Sequence, residues 1–308
     1  MTDTVVSPGP VTSRQPVEHG TRHRPGAWYA LPAFAFFALF AVLPMVLVVY
    51  LSFTAWGGFG FPRVEGVGNW QRLFEDPEVR SALLRTLGLT GLAWLVQTPL
   101  ALLIGVWSAG PQRNRAVLSA LFFLPLLLST AAIALLWQSL FDPNFGVTRS
   151  LPLIGEINFL GDPSWALYTV VFVITWQYVP FHCLLYQGSA KQVPASLYEA
   201  ATIDGAGRFQ QFFRITLPQL RYTVVTSSIL MLVGSLTTFD TVLILTGGGP
   251  GTATRILPLY MYTIGFQGFE FGYGSTIAVL LLVLGAGLSL LVTRFTGYRA
   301  MTSQQEGL

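Results

Sequence analysis

Ser196 to Pro218 reads SLYEAATIDGAGRFQQFFRITLP, and it is the one long amphipathic, charge-bearing segment with apolar spans on both sides. Ser196 and Glu199 stand as S-x-x-E, the spacing of a capping box. In such a box the hydroxyl accepts from the N–H at 199 and the carboxylate reaches back to the N–H at 196. Leu197, Ala200, Ala201 and Ile203 follow at helical spacing and give a short helix with a small, smooth apolar face. Asp204-Gly205 ends it, because Gly accepts a positive φ that other residues resist. A second short helix carries Phe209, Phe212 and Phe213 on one side and Arg208 and Arg214 on the other. Ile215-x-Leu217-Pro218 opens the next apolar span, Pro being tolerated in a first helical turn. Two short helices joined by a Gly turn, standing out from a membrane, read as a docking foot. An interfacial helix lying on the bilayer is the other reading, although such helices usually carry more Lys and Arg than this one.

Composition requires the membrane. The chain has 308 residues, 52% hydrophobic and 10% charged, with mean hydropathy +0.58. A soluble domain carries about 25% charged residues. The expected fold is all-α and polytopic. The apolar run Trp28 to Thr54 is too long for the apolar region of a signal peptide and reads as a retained helix, with Pro32 and Pro44 as bend points. Five more spans are expected at about Leu83–Trp107, Ala116–Leu140, Trp165–Tyr186, Val224–Leu245 and Thr276–Val292. The domain reading is a disordered cytoplasmic N-tail (1–26), a six-span domain (27–298) and a cytoplasmic C-tail (299–308). The foot then lies between spans four and five.

Orientation follows from Lys and Arg. The side holding both tails, the 108–115 loop and the foot carries eleven, and the other side carries five (Arg63, Arg72, Arg80, Arg149 and Arg255). The richer side is expected to face the cytoplasm. The foot and both termini are therefore cytoplasmic, in a multi-pass cell (inner or plasma) membrane protein.

Glu199-Ala200-Ala201, then Gly205 six residues after the Glu, then Ile215-x-Leu217-Pro218 resembles the EAA loop of ABC-importer permeases. Asp204-Gly205-Ala206, Leu245 to Thr254 (LTGGGPGTAT) and Gly272-Tyr273-Gly274-Ser275 are similar to the carbohydrate branch, the maltose and glycerol-phosphate type. The resemblance covers roughly residues 27 to 298. It implies a permease subunit of an ATP-driven, binding-protein-dependent importer that translocates a sugar or oligosaccharide. It also implies a second, related permease, two cytoplasmic ATPase subunits holding ATP and Mg, and an extracellular solute-binding protein. The ATPase-coupling residues it implies are Glu199, Ala200, Ala201, Asp204, Gly205, Phe209, Phe212, Phe213, Ile215, Leu217 and Pro218. In that scheme Glu199 caps the foot, Ala200 and Ala201 keep it flat, Gly205 makes the turn, and the Phe group anchors it to the ATPase or to its own bundle.

The chain itself lacks a nucleotide site. A phosphate loop needs a Lys after its glycines, and the Gly247–Gly251 stretch has none while Pro250 removes an N–H. Cys183 is alone, and His19, His23 and His182 are scattered, so no metal site and no bound cofactor are expected. No catalytic set converges, and no nucleic-acid partner is indicated.

Polar residues inside spans are the candidate pathway. Asp240 near the outer end of the fifth span is either a pathway group or an interhelical contact. Trp176, Gln177 and Tyr178 of the fourth span and Ser129 of the third supply the aromatic faces, amide and hydroxyls that sugars need. Ser129, Thr130, Gly285 and Gly287 equally suit helix packing. The acids of 57–80 and 141–164 belong either to a receiving surface for the binding protein or to ordinary solvated loops. Asp142-Pro143-Asn144 and Gly161-Asp162-Pro163 read as turns. A glycerophosphate-like solute is the alternative cargo. A secondary carrier would show matched repeats, which this sequence lacks.

Overall fold

Two of the long helices begin with the same dipeptide, Asp-Pro. Asp76 accepts from the backbone N–H of Glu78 at 2.8 Å and opens the helix Pro77–Ser108. Asp162 accepts from the N–H of Ser164 at 2.8 Å and opens Pro163–Ala190. A carboxylate at the cap satisfies an orphan donor, and Pro at the first helical position gives up an N–H that has no partner anyway. Gly161-Asp162-Pro163 is therefore a helix start rather than a free turn. Asp142-Pro143-Asn144 is a turn as expected, with Asp142 accepting from the N–H groups of Asn144 and Phe145.

The computed structural model describes residues 27–110, 117, 120–151 and 155–295. Both tails, Arg113 and Arg115 lie outside the described residues. The chain is mostly helical. Among the described residues four helices are long and apolar enough to cross a membrane: Trp28–Leu51, Pro77–Ser108, Pro163–Ala190 and Phe271–Phe295. Thr130–Leu140 and Arg221–Leu236 are shorter apolar helices. The small departure from an all-α chain is an antiparallel pair of two-residue strands, Thr54–Ala55 with Arg63–Val64.

By their internal contacts the described residues 27–45 belong to one unit and residues 46–295 to another. Pro32 stands in the first turn of the helix Leu31–Phe37, where a 3-10 turn passes into α-helix. Pro44 directly follows a π turn, Ala38–Val42, in which Leu43 N–H bonds back five residues to Ala38. The same arrangement recurs in the foot: the π turn Phe212–Thr216 has Leu217 N–H bonded to Phe212, and Pro218 follows. In each case the Pro ring displaces the carbonyl four residues back, and the residue before Pro takes the longer bond instead.

The third and fifth apolar regions are broken helices, which corrects the expected continuous spans 116–140 and 224–245. In the third, a short turn Leu124–Leu127 containing Pro125 ends in extended Leu128 and Ser129. The helix then restarts at Thr130, with Ser129 Oγ accepting from Ala132 N–H at 3.2 Å. In the fifth, Arg221–Leu236 stops, and a new helix runs Asp240–Leu245. Thr237 Oγ1 donates to Val233 O at 3.0 Å and Thr238 Oγ1 to Gly234 O at 3.1 Å. Thr238 N–H turns to Ser235 O, so the Thr238 hydroxyl supplies the bond that Gly234 O loses at the break, while the Thr237 hydroxyl adds a second bond to Val233 O. The second halves of the two broken helices are tied by Gln138 Nε2 donating to Ile244 O at 3.1 Å.

Within residues 46–295 three buried clusters hold the bundle. Leu89, Ile133, Val170, Ile174, Val242 and Ile256 form one, Leu73, Ala82, Leu257, Tyr273 and Ile277 a second, and Ala101, Val179, Cys183, Tyr186, Leu220 and Met231 a third. The helices Pro77–Ser108 and Pro163–Ala190 meet most closely at Gly105, where an added Cβ would stand 2.7 Å from Tyr186 Cβ and 2.8 Å from Cys183 O. Gly285 and Gly287, the expected packing glycines, have room: the nearest neighbour to a Cβ at Gly285 is Leu236 at 3.6 Å, and at Gly287 nothing lies within 4 Å.

Candidate functional site: a helical hairpin and a cavity at two helix breaks

The foot is a helical hairpin. Its first helix runs Ala195–Ile203 and enters from Pro194, whose extended ψ starts the helix two residues earlier than the S-x-x-E spacing predicts. No side-chain cap closes that start, so Ser196 and Glu199 do not form the capping box. Glu199 lies exposed on the helix and makes no hydrogen bond or ion pair among the described residues, which removes its capping role.

The turn behaves as the sequence requires. Gly205 has φ +76°, Ala206 N–H bonds to Ala201 O at 2.8 Å and Gly205 N–H to Thr202 O at 3.0 Å. Those two bonds make a Schellman end. Nothing lies within 4 Å of a Cβ built at Gly205, so the glycine is needed for its backbone angle and not for space. The second helix, Arg208–Gln211, starts with Gln210 Oε1 accepting from Gly207 N–H at 3.2 Å.

Side chains that the sequence reading passed over lock the hairpin. Tyr198 and Thr216 hydroxyls pair at 2.9 Å. Gln211 Nε2 donates to both Thr202 Oγ1 and Ala206 O, each at 3.1 Å. Phe212 and Leu217 pack into the bundle against the Leu220–Met231 cluster. Phe209 and Phe213 stay exposed with ring centroids 4.6 Å apart, beside exposed Ile203. The Phe group thus divides, one ring anchoring the foot to its own bundle and two facing outward. Ile215 is half-buried, Asp204, Ala200 and Pro218 are exposed, and Ala201 is half-buried.

A cavity of about 440 Å³ opens at the two helix breaks. Its wall takes Gln97 from Pro77–Ser108, Thr130 from the third-region break, Tyr178 and His182 from Pro163–Ala190, and Thr237 to Thr241 from the fifth-region break. Asp240 sits in the first turn of its half-helix, exposed and without a hydrogen bond or ion pair among the described residues. Thr130 Oγ1 meets Tyr178 OH at 3.4 Å and accepts from Gln177 Nε2 at 3.1 Å. Gln177 therefore stands one bond behind the wall. His182 Nδ1 pairs with Ser227 Oγ at 2.9 Å. Two of the expected pathway residues are elsewhere. Trp176 lines a separate apolar groove and packs edge-on against Trp137, and Ser129 caps its helix outside the cavity wall. Gln97 was missed, although a single carboxamide in an otherwise apolar run was a readable signal.

Residues 97–298 match the family described as binding-protein-dependent transport system inner membrane component. The chain belongs to that family. This permease is 34% identical to the probable ABC transporter permease YurN of Bacillus subtilis, over 87% of this chain and 94% of that one. It is 32% identical to the diacetylchitobiose uptake system permease NgcF of Streptomyces coelicolor, over 85% and 80%. Among solved structures, a bacterial ABC transporter involved in import of the acidic polysaccharide alginate superposes with TM-score 0.77 at 24% identity, covering 89% of this chain and 97% of that one. That last likeness shows the shared fold.

The permease carries a third polar assembly, distant in sequence from both sites. Asp76 Oδ2 accepts from Tyr260 OH at 2.7 Å and Tyr273 OH at 2.8 Å. Burial pushes the Asp76 carboxyl up, but the two hydroxyls and the N–H groups of Glu78 and Val79 outweigh it and hold it below the usual carboxylate range. Arg72 pairs with Glu270 and lies 4.0 Å from the Tyr273 ring centre. Arg85 bonds Glu78 at 3.2 Å and Thr252 Oγ1 at 3.1 Å, tying down the Gly-rich loop. In that loop Gly247, Gly248 and Gly251 all have positive φ, and Thr246 and Thr254 hydroxyls close it at 2.7 Å. The expected irregular, tight loop is what forms. Several acids once open to a receiving-surface reading are structural: Asp76 and Asp162 cap helices, Asp142 closes a turn, and Glu78 holds Arg85.

Proposed function

We propose that the chain is the membrane subunit of an ATP-driven importer for a sugar or oligosaccharide handed over by an extracellular binding protein. Family membership over residues 97–298 carries this reading, and relatives named for saccharide uptake, such as NgcF, support the cargo class. The subunit supplies the pathway. A second permease completes it, and two cytoplasmic ATPase subunits holding ATP and Mg drive it. Both termini and the foot face the cytoplasm, in keeping with the Lys and Arg asymmetry.

In this mechanism the 195–216 hairpin moves as one body with the ATPase pair. Its exposed Ile203, Phe209 and Phe213 offer an apolar contact, and Glu199, without a partner among the described residues, is available to a cation of the partner. Phe212, Leu217 and the Tyr198–Thr216 bond carry the displacement into Arg221–Leu236. That helix ends at the cavity, so movement of the foot bears directly on the fifth-region break and Asp240. A swing of this kind shifts a bundle between two packed arrangements. The test is mild purification of the tagged chain followed by mass spectrometry of what accompanies it. An ATPase and a second permease are expected. A stable homo-oligomer without an ATPase overturns the proposal. Single replacement of Asp240 or Tyr178 is expected to lower uptake at normal expression, and unchanged uptake removes that residue from the pathway.

A further inference from the structure

The two ends of the bundle treat their cations differently. At the end carrying the Gly-rich loop, Arg72 pairs with Glu270, and Arg85 and Arg255 both reach Glu78. At the roots of the hairpin, Lys191 and Arg221 meet no carboxylate among the described residues, although Glu199 and Asp204 stand exposed on the hairpin itself. Lys191, the only Lys in the chain, closes the apolar helix Pro163–Ala190, and Arg221 opens the apolar helix Arg221–Leu236. The Ser189 and Thr223 hydroxyls pair at 2.6 Å and fasten those two helix ends together. Lys191 follows Ser189 by two residues and Arg221 precedes Thr223 by two, so both cations belong to one rim. Gln187 Nε2 donates to Ser108 O at 3.0 Å and brings the end of Pro77–Ser108 to the same rim.

Both cations are exposed where apolar helix gives way to polar chain. Long basic side chains at that level lay their stems along apolar surface and hold the charge at the interface. Arg221 lies 4.5 Å from the ring centre of Tyr222 and donates to its hydroxyl, and Tyr suits the headgroup layer. A cation in the first turn of a helix opposes the helix dipole, and no acid in that turn offsets it.

We infer that Lys191 and Arg221 seat the phosphate of an anionic phospholipid, which braces the hairpin where it leaves the membrane. A guanidinium grips two phosphate oxygens at once, and an ammonium adds a compact point charge. Arg208 opens the second hairpin helix, beyond the Gly205 turn, and is no part of the seat. The negative cytoplasmic leaflet supplies such lipids, so the inference rests on the cytoplasmic placement of the hairpin proposed above.

The test uses the assembled transporter, delipidated in detergent and titrated with an equimolar mixture of dioleoyl-phosphatidylglycerol and dioleoyl-phosphatidylcholine. Native mass spectrometry reads which lipid stays bound. One basic residue at this surface changes anionic-lipid binding about fivefold. Lys191→Gln and Arg221→Gln should therefore each lower the retained phosphatidylglycerol-to-phosphatidylcholine ratio by about that factor, and the double variant by more. Arg221→Lys keeps the charge and should lose less than Arg221→Gln, while Arg208→Gln should leave the ratio unchanged. A ratio indifferent to the double variant overturns the inference, and an equal drop with Arg208→Gln replaces the seat with diffuse attraction. A double variant that keeps its phosphatidylglycerol but sheds the ATPase assigns the two cations to that partner instead. Displacement of the lipid by inorganic phosphate, beyond that by sodium chloride of equal ionic strength, overturns the membrane source. Orientation is read separately: Ser196→Cys on a Cys183→Ser background should react with a membrane-impermeant maleimide only from the cytoplasmic side of sealed vesicles. Reaction from the other side sinks the orientation whatever the lipid ratio, whereas cytoplasmic labelling with a flat ratio sinks only the seat.

Discussion

Gly205 and Asp76 show how differently one residue can matter. At Gly205 the constraint is the positive φ alone, which costs an L-residue roughly 1–2 kcal/mol. Gly205→Val is expected to leave assembly in the membrane intact but to uncouple ATP hydrolysis from uptake. Gly205→Asn should do less harm, because Asn enters the left-handed region more readily. Equal damage from both, in reconstituted vesicles, would point to a contact with the partner in place of backbone strain. Asp76 acts through its charge. Its carboxyl is held below the usual range, so it contributes stability above the unfolded value of about 3.9, and that contribution is lost as pH falls through the folded value. Asp76→Asn should therefore melt earlier than the native chain at pH 7, with the gap closing only below about pH 4. A gap that closes by pH 6 would assign the effect to another group.

Among the elements, the foot and the broken helices depend on side-chain bonds that periodicity does not reveal. The Tyr198–Thr216 bond joins the first foot helix to the π turn leading into the next span. Tyr198→Phe keeps the ring and removes the bond, at a cost of about 1 kcal/mol. It is expected to weaken coupling while ATP hydrolysis persists, and a double-mutant cycle with Thr216→Val should show the two changes to be non-additive. Ser129 matters in another way. It caps the restart of the third-region helix, so Ser129→Ala should lower stability by about 1 kcal/mol with little change in solute preference. A changed preference would return Ser129 to the pathway, one of the two readings the sequence left open for it.

Across the bundle, Gly272 and Gly105 stand where a neighbouring backbone comes too close for a side chain. A Cβ at Gly272 would stand 1.9 Å from Thr54 O, and one at Gly105 would meet the Cys183 carbonyl. Backbone cannot yield as a side-chain tip can, so Gly272→Ala and Gly105→Ala should each lower thermal stability in detergent by about 1–3 kcal/mol. Gly285→Ala, with its nearest neighbour at ordinary contact distance, should be close to neutral. A reversed order would mean that the helices pack in another register.

Composition was enough to make this chain a membrane protein, and Asp204-Gly205 between two short amphipathic runs to make a helical hairpin legible, because hydropathy and turn chemistry are local properties; the permease reading came from the resemblance carried by the E-A-A…G…I-x-L-P spacing. Gly205 is the clearest case: its backbone angle could be read from Asp204-Gly205 without knowing any neighbour. Where the apolar spans break could not be read that way. The Thr237 and Thr238 back-bonds are local, four residues back, but the bond that ties the two broken regions together, Gln138 to Ile244 O, joins residues more than a hundred apart, and a sequence does not announce such a partner. The same holds for which polar groups face the cavity. Trp176 and Gln177 are adjacent to Tyr178 in sequence, yet helix rotation turns only Tyr178 toward the wall, while Gln97 arrives from a helix some eighty residues earlier. Sequence decided the solvent and the foot; tertiary packing decided the cavity, because a shared wall is a property of several helices at once.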